Sequence, residues 1–237
     1  MERLFDGGEF DDVRENYKRI SENIQNAVLK SGRTDKVRFM AVTKTVPPER
    51  VNCAINLGVD LLGENRVQEF LEKRDAYAPA EVHFIGALQT NKVKYIIDKV
   101  SMIHSVDSIH LAEEINRRAE QHGLTMDILA EINIGEEETK SGISSESAKA
   151  FCRELDGLSN IRLRGLMTIP PPNCEERLYA EMQELFEGIR GTLSGEKWGA
   201  FDTLSMGMSG DYENAIKFGA TIVRIGSALF GQRKKPV

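Results

Sequence analysis

From Val37 to Ser227, eight short apolar runs each lead into the next through a polar or helical stretch, with no break in the order. Val37 to Thr43 reads as a strand, and the stretch opened by Pro48 reads as a helix ending at Gly58. The same pairing recurs in VDLLGEN with VQEFLEKRDAY, EVHFIGAL with NKVKYIIDK, and MIHSV with SIHLAEEINRRAEQHG, where Ser108 is placed to cap. It continues in MDILAEINI with SSESAKAFCRELDG, IRLRGLMTI with EERLYAEMQELFEGIRGTL, FDTLSMG with DYENAIKFG, and finally TIVRIGS. Strand segments that alternate with helices pair in parallel through right-handed crossovers, and their Val, Ile and Leu content suits strands covered on both faces. Eight such units predict an α/β fold, a single (β/α)8 TIM barrel over about residues 37–231. A further amphipathic helix at about 9–31, with Val13, Tyr17, Ile20 and Ile24 on one stripe and Gly32 as its stop, precedes it. An open doubly wound sheet is the competing fold, but no GxGxxG follows the first strand. No repeat, linker or low-complexity tract divides the chain, so residues 1–237 read as one domain.

Composition narrows the function. A hydrophobic share of 41% with 29% charged residues is that of an ordinary globular chain, and a net charge of −6 gives no general attraction to nucleic acid or acidic membranes. The N-terminus lacks a basic-then-apolar signal and no apolar run spans a bilayer, which predicts a cytoplasmic protein. Cys53, Cys152 and Cys174 are odd in number and widely spaced, as for free thiols serving as small apolar fillers. The four histidines form no ligand pair, so no metal site is expected.

The unusual residues gather at strand ends, the face where such barrels carry their sites. Strand one ends in Thr43-Lys44, strand two in Gly63-Glu64-Asn65, strand seven in Ser205-Met206-Gly207-Met208-Ser209-Gly210, and strand eight in Arg224-Ile225-Gly226-Ser227. Read alone, Lys44 is a strand-end lysine snorkelling to solvent. Behind four apolar residues and pointing into a barrel mouth, it is instead an amine that deprotonates readily and condenses with a carbonyl. Ser209 before one helix and Gly226-Ser227 before another offer backbone N–H groups and hydroxyls suited to a phosphate, although each alone is an ordinary cap or turn. A carbonyl-seeking lysine near a phosphate cradle suits pyridoxal 5′-phosphate (PLP) and equally suits a Schiff-base aldolase acting on a sugar phosphate. Arg224 lies one inward step deeper than Gly226, where it either donates to a pyridine nitrogen or pairs with an acidic neighbour.

The segments AVTKT, GENRVQE, HFIGALQTNK, SVD, NIGEEETKSG, GLM, LSMGMSGDYENAI and VRIGSALFG, in this order over about residues 10–231, resemble the YggS/PROSC family of PLP homeostasis (PLP-binding) proteins. That family is similar in fold to the N-terminal barrel of alanine racemase. The resemblance implies that Lys44 holds PLP as a Schiff base, that Ser209, Gly226 and Ser227 hold its phosphate, and that Arg224 faces the pyridine nitrogen. It places Asn65 and Met206 along the pocket and matches Lys140 to a second family lysine associated with PLP handling, a position that a solvated loop lysine fills equally well. Two positions depart from many members: Ser227 stands where threonine is common, and Val46 where a second lysine follows the first by two residues.

These readings favour a carrier over an enzyme. Racemisation needs acid–base groups on both faces of the substrate, and in the racemases the second is a tyrosine from another domain. The chain stops soon after Phe230-Gly231, and its five tyrosines fall on or beside predicted helices, not on strand ends. A guanidinium at the ring nitrogen also favours the unprotonated, poorly electron-withdrawing ring. The expected function is a PLP-binding protein of vitamin B6 homeostasis, monomeric and without robust catalysis, that serves PLP-dependent apo-enzymes; a weak amino-acid racemase and a PLP-free aldolase are the alternatives.

Overall fold

The computed structural model describes residues 10–137, 140–192 and 201–232. Eight parallel strands close into a barrel in sequence order: β1 (Arg38–Val42), β2 (Leu61–Glu64), β3 (Glu81–Phe84), β4 (Met102–Val106), β5 (Met126–Ile132), β6 (Ile161–Thr168), β7 (Thr203–Ser205) and β8 (Ile222–Ile225). The ring shuts where β1 pairs with β8, setting Met40 beside Arg224 and Ala41 beside Ile225. The outer helices are α2 (Pro48–Asn56), α3 (Val67–Lys73), α4 (Val93–Ile96), α5 (Ile109–Gln121), α6 (Ser145–Asp156), α7 (Glu176–Arg190), α8 (Tyr212–Lys217) and α9 (Ser227–Phe230), after an N-terminal α1 (Asp11–Lys30). The closed (β/α)8 barrel is therefore the observed architecture, and the doubly wound alternative is excluded.

Local chemistry sets the boundaries. Pro48 opens α2 at its first turn, and the Ser108 and Ser144 hydroxyls accept from Leu111 N–H (3.4 Å) and Ser147 N–H (3.3 Å) at the starts of α5 and α6. Gly32, at φ +69°, terminates α1. The helix expected from about residue 9 begins at Asp11, and residue 9 lies outside the described residues. NKVKYIIDK gives only the single turn of α4, preceded by a 3-10 turn over Thr90–Lys92.

Two layers of core form around the strands. Residues facing the helices, such as Ala41, Leu62, Phe84, Ile103 and Val223, join a large cluster with the helix stripes. Inside the ring, Met40, Leu61, Ile85 and Ile222 make one apolar group, and Met102, Leu129 and Met167 a second. The rest of the interior is polar: His83, His104, Glu131, Ser205 and Arg224 are all buried. α1 lies across the end of the sequence, with the Asn16 amide donating to Leu229 O (3.1 Å) and the Asn23 amide to Tyr212 Oη (3.0 Å), which ties it to α9 and α8. Among the described residues no helix is long and apolar enough to cross a membrane.

A register shift marks β6, where Leu163 pairs with Ile128 and Gly165 with Leu129, so Arg164 is the extra residue of a bulge. Gly165 has φ +152°, and a Cβ there would stand 1.8 Å from Thr203 O. Gly165→Ala is expected to destabilise the fold by roughly 3–5 kcal/mol, measured by denaturant unfolding; an unchanged midpoint would contradict this account of the bulge.

Candidate functional site

Strand alternation puts Met40 and Val42 on the inward face, and Lys44 is half-buried in the turn just past the end of β1. Thr43, on the opposite face, is fully buried and donates to Glu64 Oε1 (2.7 Å), which also accepts from Tyr77 Oη (2.7 Å). Burial pushes the Glu64 carboxyl up, and its Oε2 has no hydrogen-bond partner. The turn beyond is clamped as well. Thr45 sits at φ +62° with its N–H on Glu69, Val46 N–H donates to Thr43 O (3.0 Å), and Lys73 reaches Thr43 O (3.4 Å) while pairing with Glu69. A β-branched residue in the left-handed region costs about 1–3 kcal/mol, so these contacts hold a strained turn directly behind the lysine.

The two turns predicted to hold phosphate meet. Ser209 Oγ accepts from Gly226 N–H and Ala228 N–H, both at 3.2 Å, so a hydroxyl oxygen stands where an anion's oxygen would be received. Ser227 is exposed as the first residue of α9. Asp211 braces this arrangement by accepting from Met208 N–H and from Tyr179 Oη (2.6 Å). Gly207, at φ +90°, lets the chain turn, since a Cβ there would lie 2.5 Å from Ala215 Cβ. A Cβ on Gly226 would lie 3.4 Å from Val42 Cβ, so Gly226 faces the strand that carries Lys44. Met206 is fully buried, its side chain packed in the large outer cluster and not in either interior group.

Arg224 stands one step below Gly226 and is nearly fully buried. Its NH1 donates to Ser205 O (2.8 Å) and Ser205 Oγ (2.7 Å), and its NH2 to Thr168 O (2.7 Å). These acceptors are neutral, and among the described residues Arg224 makes no ion pair. The expected alternative, a salt bridge to an acidic neighbour, is not what holds it. Burial lowers its pKa to about 10, against the attraction of Glu131. Glu131 faces the same interior and rises to about 7 through burial and the nearby Asp107.

Asn65 follows β2 at the same mouth, and its Oδ1 is buried without a hydrogen-bond partner. Gly86 packs against it so closely that a Cβ would meet Asn65 O at 2.1 Å. Lys140 lies apart on the loop after β5, paired with Glu137 and donating to Ile169 O (3.4 Å). The structure thus joins Ser209 to Gly226 above Arg224, and sets Gly226 against Val42 of β1, two residues before Lys44. Sequence reading missed what stands behind them: the Thr43–Glu64–Tyr77 group, and a ring-nitrogen contact of His83 Nδ1 with His104 Nε2 (2.9 Å). The histidines are 21 residues apart, and the usable signal was that each holds the inward position near the middle of its strand.

Asn65 Oδ1 and the N–H groups now satisfied by Ser209 fit a small phosphorylated ring. Glu131 provides a test of the interior electrostatics. Its folded pKa, near 7, lies above the ordinary 4.5, so its penalty is absent below about pH 4.5 and grows as pH rises to 7. Glu131→Gln is expected to match the parent protein in stability near pH 4.5 and to exceed it by about 3 kcal/mol above pH 7, read from urea melts. A constant difference across pH would contradict the burial of this carboxyl.

Comparison with known proteins agrees with the geometry. Residues 16–234 match the family described as alanine racemase, N-terminal domain. The chain is 45% identical over 227 residues to the pyridoxal phosphate homeostasis protein of Aquifex aeolicus, covering 93% of this chain and 98% of that one. It is 34% identical to the protein of that name from Escherichia coli K12, covering 94% and 97%. PipY of Synechococcus elongatus, solved with PLP bound, is 29% identical with a TM-score of 0.75, covering 91% of this chain and all (100%) of that one. An alanine racemase of Clostridium difficile, 18% identical with a TM-score of 0.72, shares the fold over 93% of this chain and 57% of its own length. With a conserved length and this identity, the chain belongs to the family of pyridoxal phosphate homeostasis proteins, built on the alanine racemase N-terminal barrel.

Proposed function

We propose that this protein binds PLP at the C-terminal mouth of its barrel and keeps it for cellular B6 homeostasis, with Lys44 as the point of attachment. The observation that carries the reading is that β1, which leads into Lys44, lies beside β8, where an N–H pair already holds an oxygen with the buried donors of Arg224 one step beneath. PLP supplies an aldehyde that condenses with an amine, and an anionic phosphate. Gly226 N–H, Ala228 N–H and the Ser227 hydroxyl would take the phosphate, whose oxygen would replace that of Ser209 on the two N–H groups and leave the Ser209 hydroxyl beside it. Three of the five guanidinium N–H groups of Arg224 are engaged, leaving donors for a ring nitrogen. Asn65 Oδ1 would accept from the bound group or from a water beside it.

Holding without robust catalysis is supported by what surrounds the lysine. Arg224 offers only donors, which favours an unprotonated ring and weakens carbanion chemistry. The hydroxyls of Tyr77, Tyr179 and Tyr212 are engaged with Glu64, Asp211 and Asn23, away from a second face of the ligand. The relatives' names, homeostasis proteins and not enzymes, point the same way. A cytoplasmic monomer that releases PLP to apo-enzymes completes the proposal. In it Val46, where many relatives carry a second lysine, leaves Lys140 as the remaining candidate for a role in release.

Incubation with PLP followed by desalting is expected to leave a visible absorbance band that Lys44→Ala abolishes; no band in the parent protein would favour the PLP-free aldolase. Lys44-dependent interconversion of L- and D-amino acids by the loaded protein would favour the weak racemase. Ser209→Ala is expected to lower Tm by about 2–4 °C in the free protein, where two N–H groups lose their acceptor, and by less once PLP is bound. An equal loss in both forms would contradict the oxygen-for-phosphate exchange.

A further inference from the structure

The polar contacts below Arg224 do not stop at Ser205. Ser205 Oγ meets His104 Nδ1 at 3.1 Å, His104 Nε2 meets His83 Nδ1 at 2.9 Å, and His83 Nε2 meets Glu81 Oε1 at 2.8 Å. Glu81 in turn accepts from Arg38 (2.6 Å) and Ser101 (2.9 Å) at the opposite, N-terminal mouth, where a cavity of about 340 Å³ opens. One unbranched hydrogen-bonded column therefore runs the height of the barrel interior through side chains that are 0–1% exposed at Ser205, His104 and His83.

The chemistry of the two ends fixes every proton between them. Arg224 can only donate, so Ser205 Oγ accepts from it and turns its single O–H to His104 Nδ1. His104 then carries its proton on Nε2 and donates to His83 Nδ1. His83 carries its own on Nε2 and donates to the Glu81 carboxylate, which can only accept. Reversing His83 would set a lone pair against the Glu81 carboxylate and two N–H groups against each other, and reversing His104 would set two ring lone pairs against each other. Charging a ring is opposed as well. His104, fully buried, faces His83 from β3 and Arg224 from β8, while His83 faces Arg38 from β1, countered by Glu81 on its own strand and Asp127 from β5. Burial drives both rings towards the neutral form, and the hydrogen bond from His83 holds Glu81 well below the usual carboxylate range.

We infer that Ser205, His104 and His83 form a proton-ordered column that positions Arg224, with Glu81 at the far mouth as the anion that sets its direction. The column makes Ser205 Oγ a committed acceptor for the guanidinium, which would otherwise rotate among neutral oxygens. His104 and His83 are positioning residues; neither reaches the mouth where Lys44 lies. The link to cofactor binding rests on the reading of Arg224 given above, whereas the proton order is a property of the protein alone.

Two measurements test it. In ¹⁵N-labelled protein free of PLP, long-range ¹H–¹⁵N spectra assigned with His83→Gln and His104→Gln are expected to show both rings as the neutral Nε2–H form from about pH 6 to 8. An Nδ1–H form or an imidazolium at either position overturns the column whether or not PLP binds. PLP titration then compares His104→Asn, which keeps an acceptor at the Nδ1 position, with His104→Phe, which keeps the ring shape alone. About a tenfold weaker affinity for the Phe variant, with the Asn variant near the parent, is expected. Equal affinities in folded variants would overturn the positioning of Arg224. Failure of the parent itself to bind PLP would refute the cofactor reading and with it this second link, leaving the ring spectra to decide the column.

Discussion

A guanidinium buried in the interior of a barrel is the constraint that organises this molecule. Taking an ion out of water costs several kcal/mol unless its donors are met, and Arg224 meets two carbonyls and a hydroxyl, with no ion pair among the described residues. The neighbouring strands are built for that need. β6 ends at Thr168, whose carbonyl faces inward while its hydroxyl bonds Ile132 O (2.7 Å), and β7 contributes both oxygens of Ser205. Glu131 offers compensating charge at a distance, and the histidine pair carries the hydrogen bonding down to Glu81. The polar half of the interior follows from this one cation, and the methionine-rich groups fill the space it leaves.

Under the proposed function, that arrangement would let a racemase-like barrel hold a reactive aldehyde and do little with it. A lysine amine at the mouth needs a firm backbone, supplied by the strained Thr45 turn and the buried Thr43–Glu64 pair. A phosphate needs unpaired N–H groups, and here Ser209 keeps them satisfied until a better acceptor arrives. In that proposal the ring end would meet a donor where electron-sink chemistry needs a proton source held by a carboxylate. Binding and release would then be served by groups that exchange partners.

The sequence made most of this legible where periodicity or chain punctuation was strong. MIHSV became β4 to the residue, and β1 ends at Val42, just ahead of Lys44. Periodicity failed at β3 and α4, because Gly86 lets β3 end early against Asn65 and the chain turns through a 3-10 stretch instead of a full helix. Contacts between strands were out of reach: no local pattern pairs His83 with His104 or Tyr77 with Glu64. Met206 packs in the large buried cluster, a placement that no local pattern announces.

The most direct measurement is borohydride reduction of the PLP-loaded protein followed by proteolysis and peptide mapping. The account predicts a single stable adduct on the peptide that carries Lys44. An adduct confined to Lys140, or spread over surface lysines, would contradict it.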